Sequence, residues 1–338
     1  MKTPLLIFVA ALTSIAGNFN ARAETSITGC GSSFDQPAFT KWFDAYRKVE
    51  PNVRFNYQPN GSGFGQSALL SQTIDFGASD FTMNDEKLQQ SSNGSILHLP
   101  IVAGAVVVAY NLPGNPKLKL DGQTIAEIFL GTITKWNDPK ISALNDGVKL
   151  PDTDVATVHR TESSGTSYIF SDYLSAVSKD WESKIGRSGS PKWPSGLGAK
   201  GNNGVANQIK QLPGSVGYIE LAYAVENKIA FATVKNQSGK FVEASPTSVS
   251  AALKTATIPD DFRFSMVNAP GDDVYPIAGP SWVLIYQKQK DADKSSALVA
   301  FLKWAVTEGQ KMSPSLEYAP LPEELQKRVL AKLETIKS

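Results

Sequence analysis

The sequence predicts an α/β protein in which helices pack on the faces of β-sheets. Segments with strand-like and helix-like patterns alternate along the chain after residue 25. The 338 residues are 41% hydrophobic and 19% charged, which is typical of a globular protein. Chains of this length usually divide into two compact units, so we expect two lobes.

Short-range patterns predict the elements of the first hundred residues. A strand is predicted over residues 26–31, and a helix over residues 34–49, where apolar residues recur at helical spacing. The next predictions are a half-buried alternating strand over residues 53–57, a helix starting at residues 68–70 and a strand over residues 74–79.

Longer apolar runs dominate the rest of the chain. They predict buried strands over residues 105–110, 155–158, 216–224 and 282–286. The spacing of Phe170, Tyr173, Leu174 and Val177 indicates an amphipathic helix. Residues 322–337 predict a terminal amphipathic helix on the body of the protein, with partner binding as the alternative role. No linker divides the chain, so two lobes would be joined by a hinge within ordinary structure.

Residues 1–23 predict a secretory signal peptide. Lys2 supplies the positive start, residues 5–17 the apolar stretch and Ala21-Arg22-Ala23 the small-residue cleavage site. The apolar stretch is shorter than the roughly 20 residues that a membrane-spanning helix needs. We therefore expect export to an aqueous compartment and cleavage after Ala23.

Cys30 raises the alternative of a lipid anchor. A lipid-bearing cysteine would follow the apolar stretch directly, whereas the polar residues 18–24 intervene here and Cys30 falls within a predicted strand. We expect a buried thiol that packs as a small apolar side chain.

Charge and composition exclude several classes of function. With 33 basic and 32 acidic residues, the formal charge of +1 gives no large surface for binding nucleic acid. One Cys excludes a disulfide framework and any multi-cysteine metal site, and two His leave little for histidine-based metal chemistry. We expect no metal and no cofactor.

Three loops repeat one local design, in which a strand ends, small residues turn the chain and a helix begins. They are Gly29-Cys30-Gly31-Ser32-Ser33-Phe34, Asn60-Gly61-Ser62-Gly63-Phe64-Gly65 and Glu162-Ser163-Ser164-Gly165-Thr166-Ser167. The first turn of a helix has unpaired N–H groups and a partial positive charge, and hydroxyls add donors. Each loop alone is better explained by ordinary capping and turn chemistry, but the recurrence of the design is more informative and favours an anion as ligand, although the sequence alone does not show that the loops converge.

Arg160 lies at the end of a predicted strand, just before the third loop. Its guanidinium could form forked hydrogen bonds to an oxyanion, which Lys cannot. The alternative is a structural ion pair with Glu162, and both roles are compatible because the carboxylate would orient the guanidinium.

Asp80 is the residue that discriminates between anions. A carboxylate would repel a bound anion unless the anion carries a proton for it to accept, as phosphate does near neutral pH and sulfate does not. A buried acceptor left unpaired costs about 1–3 kcal/mol or more. The alternative role for Asp80 is to cap the helix that begins near Asp85. Thr82 and Asp85 already form the pattern of a capping box there, so Asp80 is not needed as the cap.

A catalytic function is the rival from a different class, and a receptor for another tetrahedral anion is a closer competitor. Ser164-Gly165-Thr166-Ser167 could present a nucleophile, but it lacks the Gly-x-Ser-x-Gly turn, and neither His98 nor His159 has an evident partner. We expect no catalysis.

Together these motifs resemble the periplasmic phosphate-binding proteins of ABC-type phosphate importers. The motifs occur in the family's order from about residue 26 to the terminal helix. They are the first two loops, Asp75-Phe76-Gly77-Ala78-Ser79-Asp80, residues 131–138, Arg160 with residues 164–167, Lys192-Trp193-Pro194, residues 196–198, Leu212-Pro213-Gly214 and Gly217-Tyr218.

The resemblance implies a type II periplasmic binding protein of two lobes, each a sheet flanked by helices, with the ligand cleft between them. Lobe I would comprise residues 24–102 and 275–338, and lobe II residues 103–274. The protein would be a periplasmic monomer that binds inorganic phosphate and delivers it to membrane permease subunits. A receptor for another tetrahedral oxyanion such as sulfate, a phosphate-ester hydrolase, and an adhesion or signalling role are the alternatives.

The resemblance also implies a set of binding residues. These are Ser33, Phe34, Ser62, Asp80, Arg160, Ser164, Gly165 and Thr166, with Glu162 pairing with the arginine. Two of them depart from the family's pattern. Ser33 replaces a threonine and lacks the methyl that limits its rotamers, and Glu162 is one methylene longer than the usual aspartate.

Overall fold

A computed structural model describes residues 24–337, which alternate between strands and helices as predicted. The α/β class is confirmed. The predicted signal peptide, residues 1–23, lies outside the described residues. Within the described part, no helix has the length and apolar character needed to cross a membrane.

The strands are β1 (Thr25–Gly31), β2 (Val53–Gln58), β3 (Phe76–Ser79), β4 (Ile96–Tyr110), β5 (Lys119–Leu120), β6 (Ala156–Arg160), β7 (Leu197–Ala199), β8 (Ser215–Glu220), β9 (Ala230–Phe231), β10 (Thr233–Lys235), β11 (Phe241–Val242) and β12 (Ala278–Tyr286). The helices are α1 (Gln36–Tyr46), α2 (Ser62–Leu70), α3 (Asp85–Gln89), α4 (Gly122–Phe129), α5 (Pro139–Leu144), α6 (Gly165–Val177), α7 (Lys179–Lys184), α8 (Gly201–Gln211), α9 (Leu221–Asn227), α10 (Pro246–Thr255), α11 (Ala292–Ala305) and α12 (Glu323–Leu333), with a 3₁₀ helix at Gly309–Leu316.

Strand β4 joins two halves of the main sheet. The strand order is β2-β1-β3-β12-β4-β8-β6-β7, with β9 also pairing with β4. Residues 96–105 of β4 pair antiparallel with β12, and residues 106–110 pair antiparallel with β8. Strands β11, β10 and β5 form a separate small sheet.

The parallel strands of each half place their carboxyl ends at the same edge. β1 pairs parallel with β2 and β3 in one half, and β6 pairs parallel with β7 and β8 in the other. In open α/β sheets, ligands bind outside the carboxyl ends of the strands. The loops predicted to hold an anion lie at these ends.

Aromatic side chains fill the core of both halves. Phe43 stacks on Phe55 and contacts Phe301 beside the first half. Phe170 stacks on Tyr218 beside the second half. Burial of such rings contributes strongly to the stability of the core that carries the loops.

Two predicted elements are wrong. Residues 68–70 end helix α2 instead of starting a helix, because the helix begins at Ser62, directly after Gly61. Residues 216–224 are not one strand. The strand β8 ends at Glu220 and α9 begins at Leu221, and both are buried, so the apolar run continues across the boundary.

Two other predictions are confirmed. Cys30 is a buried free thiol within β1, and burial raises its pKa to about 11. The terminal helix α12 buries Leu325, Val329 and Leu333 and packs on α11.

Candidate functional site

The three predicted loops lie together, and a fourth helix start joins them. The Gly165 N–H, at the start of α6, donates to Ser62 Oγ at the start of α2, with an N–O distance of 3.1 Å. The Asn202 N–H, at the start of α8, donates to Ser33 Oγ in the loop before α1, at 3.1 Å. The positive ends of several helices therefore point into one region, which favours an anion.

Glycine is required at two positions in this region. Gly61 has φ 101°, and a Cβ there would lie 2.7 Å from Glu162 Cγ. At Gly165 a Cβ would lie 2.4 Å from Asp80 Oδ2 and 2.6 Å from Ser62 Oγ. The loop before α6 therefore approaches Asp80 as closely as backbone alone allows.

The Arg160 side chain is buried, with 1% of its surface exposed, and it donates in three directions. Its Nη1 donates to Thr166 Oγ1 at 3.1 Å and its Nη2 to Ser33 Oγ at 3.1 Å. Its Nε donates to Glu162 Oε1 at 2.8 Å, and its Nη2 bonds to the same oxygen. The guanidinium is thus oriented by one carboxylate and surrounded by hydroxyls.

Glu162 forms the ion pair that the sequence suggested. Burial disfavours its ionisation, but the adjacent Arg160 guanidinium and the Gly201 N–H, 3.1 Å from Oε1, hold its pKa below the usual value. The extra methylene of Glu162 does not prevent pairing. Nη1 of Arg160 is not bonded to Glu162 and donates to the Thr166 hydroxyl instead.

Asp80 lies at the end of β3 and is 2% exposed. Ser32 Oγ donates to Asp80 Oδ2 at 2.6 Å, and Ser281 Oγ lies 2.6 Å from Oδ1. Ser62 Oγ lies 3.4 Å from Oδ2 and accepts the Asp80 N–H at 3.2 Å. The carboxyl group is therefore held in one orientation by hydroxyls from the first loop, from α2 and from β12.

Burial raises the pKa of Asp80 to about 6, against the lowering effects of the Ser281 and Ser32 hydroxyls, the Arg160 charge and the Ser62 hydroxyl. At neutral pH the group is mostly ionised, and a carboxylate can only accept hydrogen bonds. The site therefore combines one acceptor with many donors.

The other predicted residues also lie here, with partners of their own. Ser164 is the N-cap of α6, and its Oγ accepts the Ser167 N–H at 3.1 Å. The Phe34 N–H donates to Ser32 Oγ at 2.9 Å, and the Phe34 carbonyl accepts from the Tyr318 hydroxyl at 2.6 Å.

The capping box predicted at Thr82 is wrong. Asn84 caps α3, and its Oδ1 accepts the Lys87 N–H at 3.0 Å. Asn84 lies two residues closer to the helix than Thr82 and has the shorter reach to its first turn. Asp80 has no part in this cap, and its side chain faces the hydroxyls instead.

Sequence reasoning missed three polar residues of the site. Ser32 bonds to Asp80 and was a member of the first loop, so its hydroxyl was visible in the motif. Asn202 donates to Ser33 Oγ at 3.1 Å and to Thr166 Oγ1 at 3.2 Å. It follows a strand and a glycine at the start of a helix, the same order as in the three predicted loops, and this order could have identified it. Ser281 lies inside β12, and nothing in the local sequence marks it.

Neither histidine is arranged for catalysis. His98 accepts the Met83 N–H through Nε2, and burial lowers its pKa to about 4. His159 stacks on Trp193, with the ring centroids 5.3 Å apart. No group of His, Cys, Asp and Glu suited to a metal ion occurs among residues 24–337.

This chain is similar in sequence and in fold to known proteins. Residues 18–308 match the PBP superfamily domain. The chain is 41% identical to the phosphate-binding protein PstS of Xylella fastidiosa (strain 9a5c), over 90% of this chain and 84% of that protein. It is 40% identical to the phosphate-binding protein PstS of Pasteurella multocida (strain Pm70), over 92% of this chain and 90% of that protein.

A solved structure shows the same fold. The phosphate-binding protein from Stenotrophomonas maltophilia superimposes with a TM-score of 0.71, covering 91% of this chain and 93% of its own, at 22% identity. The predicted fold of a type II periplasmic binding protein is thereby confirmed.

Proposed function

Since the chain belongs to the family of phosphate-binding proteins named PstS, we propose that it binds inorganic phosphate and delivers it to the membrane permease subunits of an ABC-type phosphate importer. The observation that carries this proposal is Asp80, a buried acceptor set among donors that favour an anion. Only an anion that brings its own proton satisfies both kinds of group.

The binding residues proposed are Ser33, Phe34, Ser62, Asp80, Arg160, Ser164, Gly165 and Thr166, with Glu162 orienting the guanidinium, and Asn202 joins them. Arg160 and the helix N-termini would stabilise the phosphate charge, and the hydroxyls would donate to its oxygens. Asp80 would accept a hydrogen bond from the protonated oxygen of phosphate. Sulfate would leave that carboxylate facing an unprotonated oxygen.

The lobes proposed are residues 24–102 with 275–338, and residues 103–274. The change of partner within β4, from β12 to β8 after residue 105, lies near this boundary and supports it. Asp80 and Ser62 would come from lobe I and Arg160 from lobe II. Phosphate would then stabilise the closed form by contacting both lobes, and the permease would recognise that form.

The protein would act without catalysis, as a monomer in the periplasm after removal of residues 1–23. The two histidines have structural partners, and the curated relatives are binding proteins by name. Cys30 is buried in β1, so we expect no lipid on its thiol. The hydrolase and sulfate alternatives find no support in the site.

The proposal is tested by titrating the purified protein with phosphate and with sulfate. Tryptophan fluorescence is the first readout and calorimetry the second. We expect one phosphate per chain and sulfate weaker by about 100-fold or more, since one unpaired charged acceptor costs roughly 3 kcal/mol. Equal affinity for the two anions would refute the role of Asp80.

Substitutions at Arg160 separate binding from structure. Arg160→Lys removes the fork and should weaken phosphate binding about 10-fold to 100-fold. Arg54→Lys, in an exposed ion pair with Glu24, is the matched control and should leave the titration unchanged. An unchanged titration for Arg160→Lys would make the guanidinium structural only.

A further inference from the structure

Asp35 is a second buried carboxyl group beside the site, and it shares one hydroxyl with Asp80. Asp35 is fully buried at the end of the first loop. Its Oδ2 lies 2.8 Å from Ser281 Oγ, which in turn lies 2.6 Å from Asp80 Oδ1. Among the described residues, Asp35 Oδ1 has no hydrogen-bond partner.

This geometry requires a proton on the pair. Ser281 has one hydroxyl hydrogen, so it can donate to only one of the two carboxyl groups at a time. If both carboxyl groups were ionised, one buried carboxylate oxygen would face Ser281 Oγ with no hydrogen between them, which is energetically costly. A single proton shared by Asp35 and Asp80 removes this conflict.

The surroundings decide which group holds the proton. Asp80 accepts from the Ser32 hydroxyl at 2.6 Å and is stabilised by the nearby Arg160 charge. Asp35 has Ser281 as its one hydrogen-bond partner among residues 24–337, and its second oxygen is unpaired. A neutral carboxyl group tolerates an unpaired buried oxygen far better than a charged one does. The proton therefore belongs on Asp35.

We propose that Asp35 is a positioning residue for anion selectivity: it stays protonated, donates to Ser281 Oγ and so directs the Ser281 hydroxyl onto Asp80. Asp80 is then kept ionised and oriented for a ligand that carries a proton. This inference rests on the proposed phosphate binding. It also explains how two acids can lie beside an anion site with only one negative charge.

The electrostatic environment of Asp35 agrees with this assignment. Burial and the negative charge of Asp80 raise its pKa well above the usual value, and the Ser281 hydroxyl opposes the rise only in part. The titratable groups that interact electrostatically with Asp35 are Tyr57, Asp80, Glu220, Tyr223 and Tyr318. Burial raises the pKa of Glu220 and of these tyrosines too.

The first test needs no ligand, so its failure is distinct from failure of phosphate binding. Infrared difference spectra at pH 7 compare wild type with Asp35→Asn. We expect the variant to lose one C=O band of a protonated carboxyl group and to keep all of the carboxylate bands. Asp75→Asn, at an ion pair with Lys294 of 3.0 Å, is the control and should lose carboxylate bands. Loss of carboxylate bands in Asp35→Asn would overturn the proposal.

A second measurement covers the case in which the variant does not fold. The infrared spectrum of wild-type protein labelled with ¹³C at the aspartate carboxyl groups should show an isotope-shifted C=O band of a protonated carboxyl group at pH 7. Glu220 cannot produce this shifted band because glutamate is not labelled. Absence of that shifted band would equally overturn the assignment.

The selectivity role is tested by phosphate and sulfate titrations over a range of pH. Asp35→Ala should weaken phosphate binding about tenfold and raise the pH at which sulfate begins to compete, since Asp80 loses a directed donor. Asp35→Asn should rescue both, because its amide N–H can donate to Ser281 as the neutral acid does. A neutral Asp35 would be contradicted if Asp35→Asn failed to restore phosphate affinity and selectivity. It would also be contradicted if Asp35→Asn bound phosphate more tightly than the wild type, because that would indicate that a negative charge had been removed.

Discussion

At the scale of single residues, the ionised carboxyl group of Asp80 is held where burial disfavours it. Its hydroxyl partners and the Arg160 charge only partly offset the cost, so its pKa lies at about 6. Folded protein therefore loses stability as pH rises from the ordinary range of an aspartate through about 6. Under the proposed function, this loss of stability is the energetic cost of keeping an acceptor ready for a protonated anion.

Asp80→Asn should remove that cost in the absence of phosphate. A rise in pKa from 3.8 to about 6 corresponds to up to about 3 kcal/mol. The variant should gain up to that much unfolding free energy at pH 7 and nothing near pH 4, measured by urea denaturation. Asp75→Asn, which breaks an ion pair with Lys294, should show no such gain. A gain independent of pH would contradict the assignment.

The same titration should govern selectivity. As pH falls through about 6, Asp80 becomes protonated and can donate to an anion that has no proton. We expect sulfate to compete increasingly with phosphate below that pH, measured by displacement titrations. Sulfate competition that stays constant between neutral and acidic pH would argue against Asp80 as the discriminating group.

The sequence was informative about residues whose chemistry is unusual for their place. Arg160 and Asp80 were identified because a guanidinium at a strand end and a carboxylate near anion donors both need explanation. Ser281 and Asp35 could not be predicted, because their roles arise from contact between β12 and the first loop, far apart in the chain.

At the scale of elements, the site depends on how closely α6 approaches Asp80. Gly165 at the start of α6 leaves no room for a side chain. The start of α2 was misplaced from sequence because Gly61, Ser62 and Gly63 are poor helix formers. The Gly63 N–H in the first turn of α2 donates to the Ser163 carbonyl at 3.0 Å, a contact between distant loops that a propensity argument does not contain.

Gly165→Ala should therefore weaken phosphate binding by at least about 30-fold, through loss of donors that cannot approach the ligand. Gly204→Ala, in α8, is the matched control, since a Cβ there lies 3.6 Å from Ala199. The control should bind phosphate normally and gain about 0.5–1 kcal/mol of stability. Calorimetric titration of both variants with phosphate measures the two affinities. Normal phosphate binding by Gly165→Ala would refute the steric argument.

At the scale of the whole molecule, contacts join the two proposed lobes around the site. The Phe81 ring stacks on Tyr168 with centroids 4.9 Å apart, and the Tyr223 hydroxyl donates to the Ser33 carbonyl at 2.6 Å. The α/β class could be predicted because alternation along the chain suffices for it. The strand order could not, since the partner change within β4 has no local signal.

Phosphate should favour the form in which these contacts are made. We expect the radius of gyration from small-angle X-ray scattering to fall when phosphate is added, because under the proposed function the ligand would contact both lobes. Gly165→Ala should show a smaller change at saturating phosphate. An unchanged radius for the wild-type protein that binds phosphate would contradict closure.

The most direct test of phosphate recognition by Asp80 is a crystal structure of the protein grown with phosphate. We predict one phosphate contacting Arg160, with a phosphate oxygen within hydrogen-bond distance of the Asp80 carboxyl group. A phosphate bound away from that carboxyl group, or a different anion in its place, would contradict the mechanism.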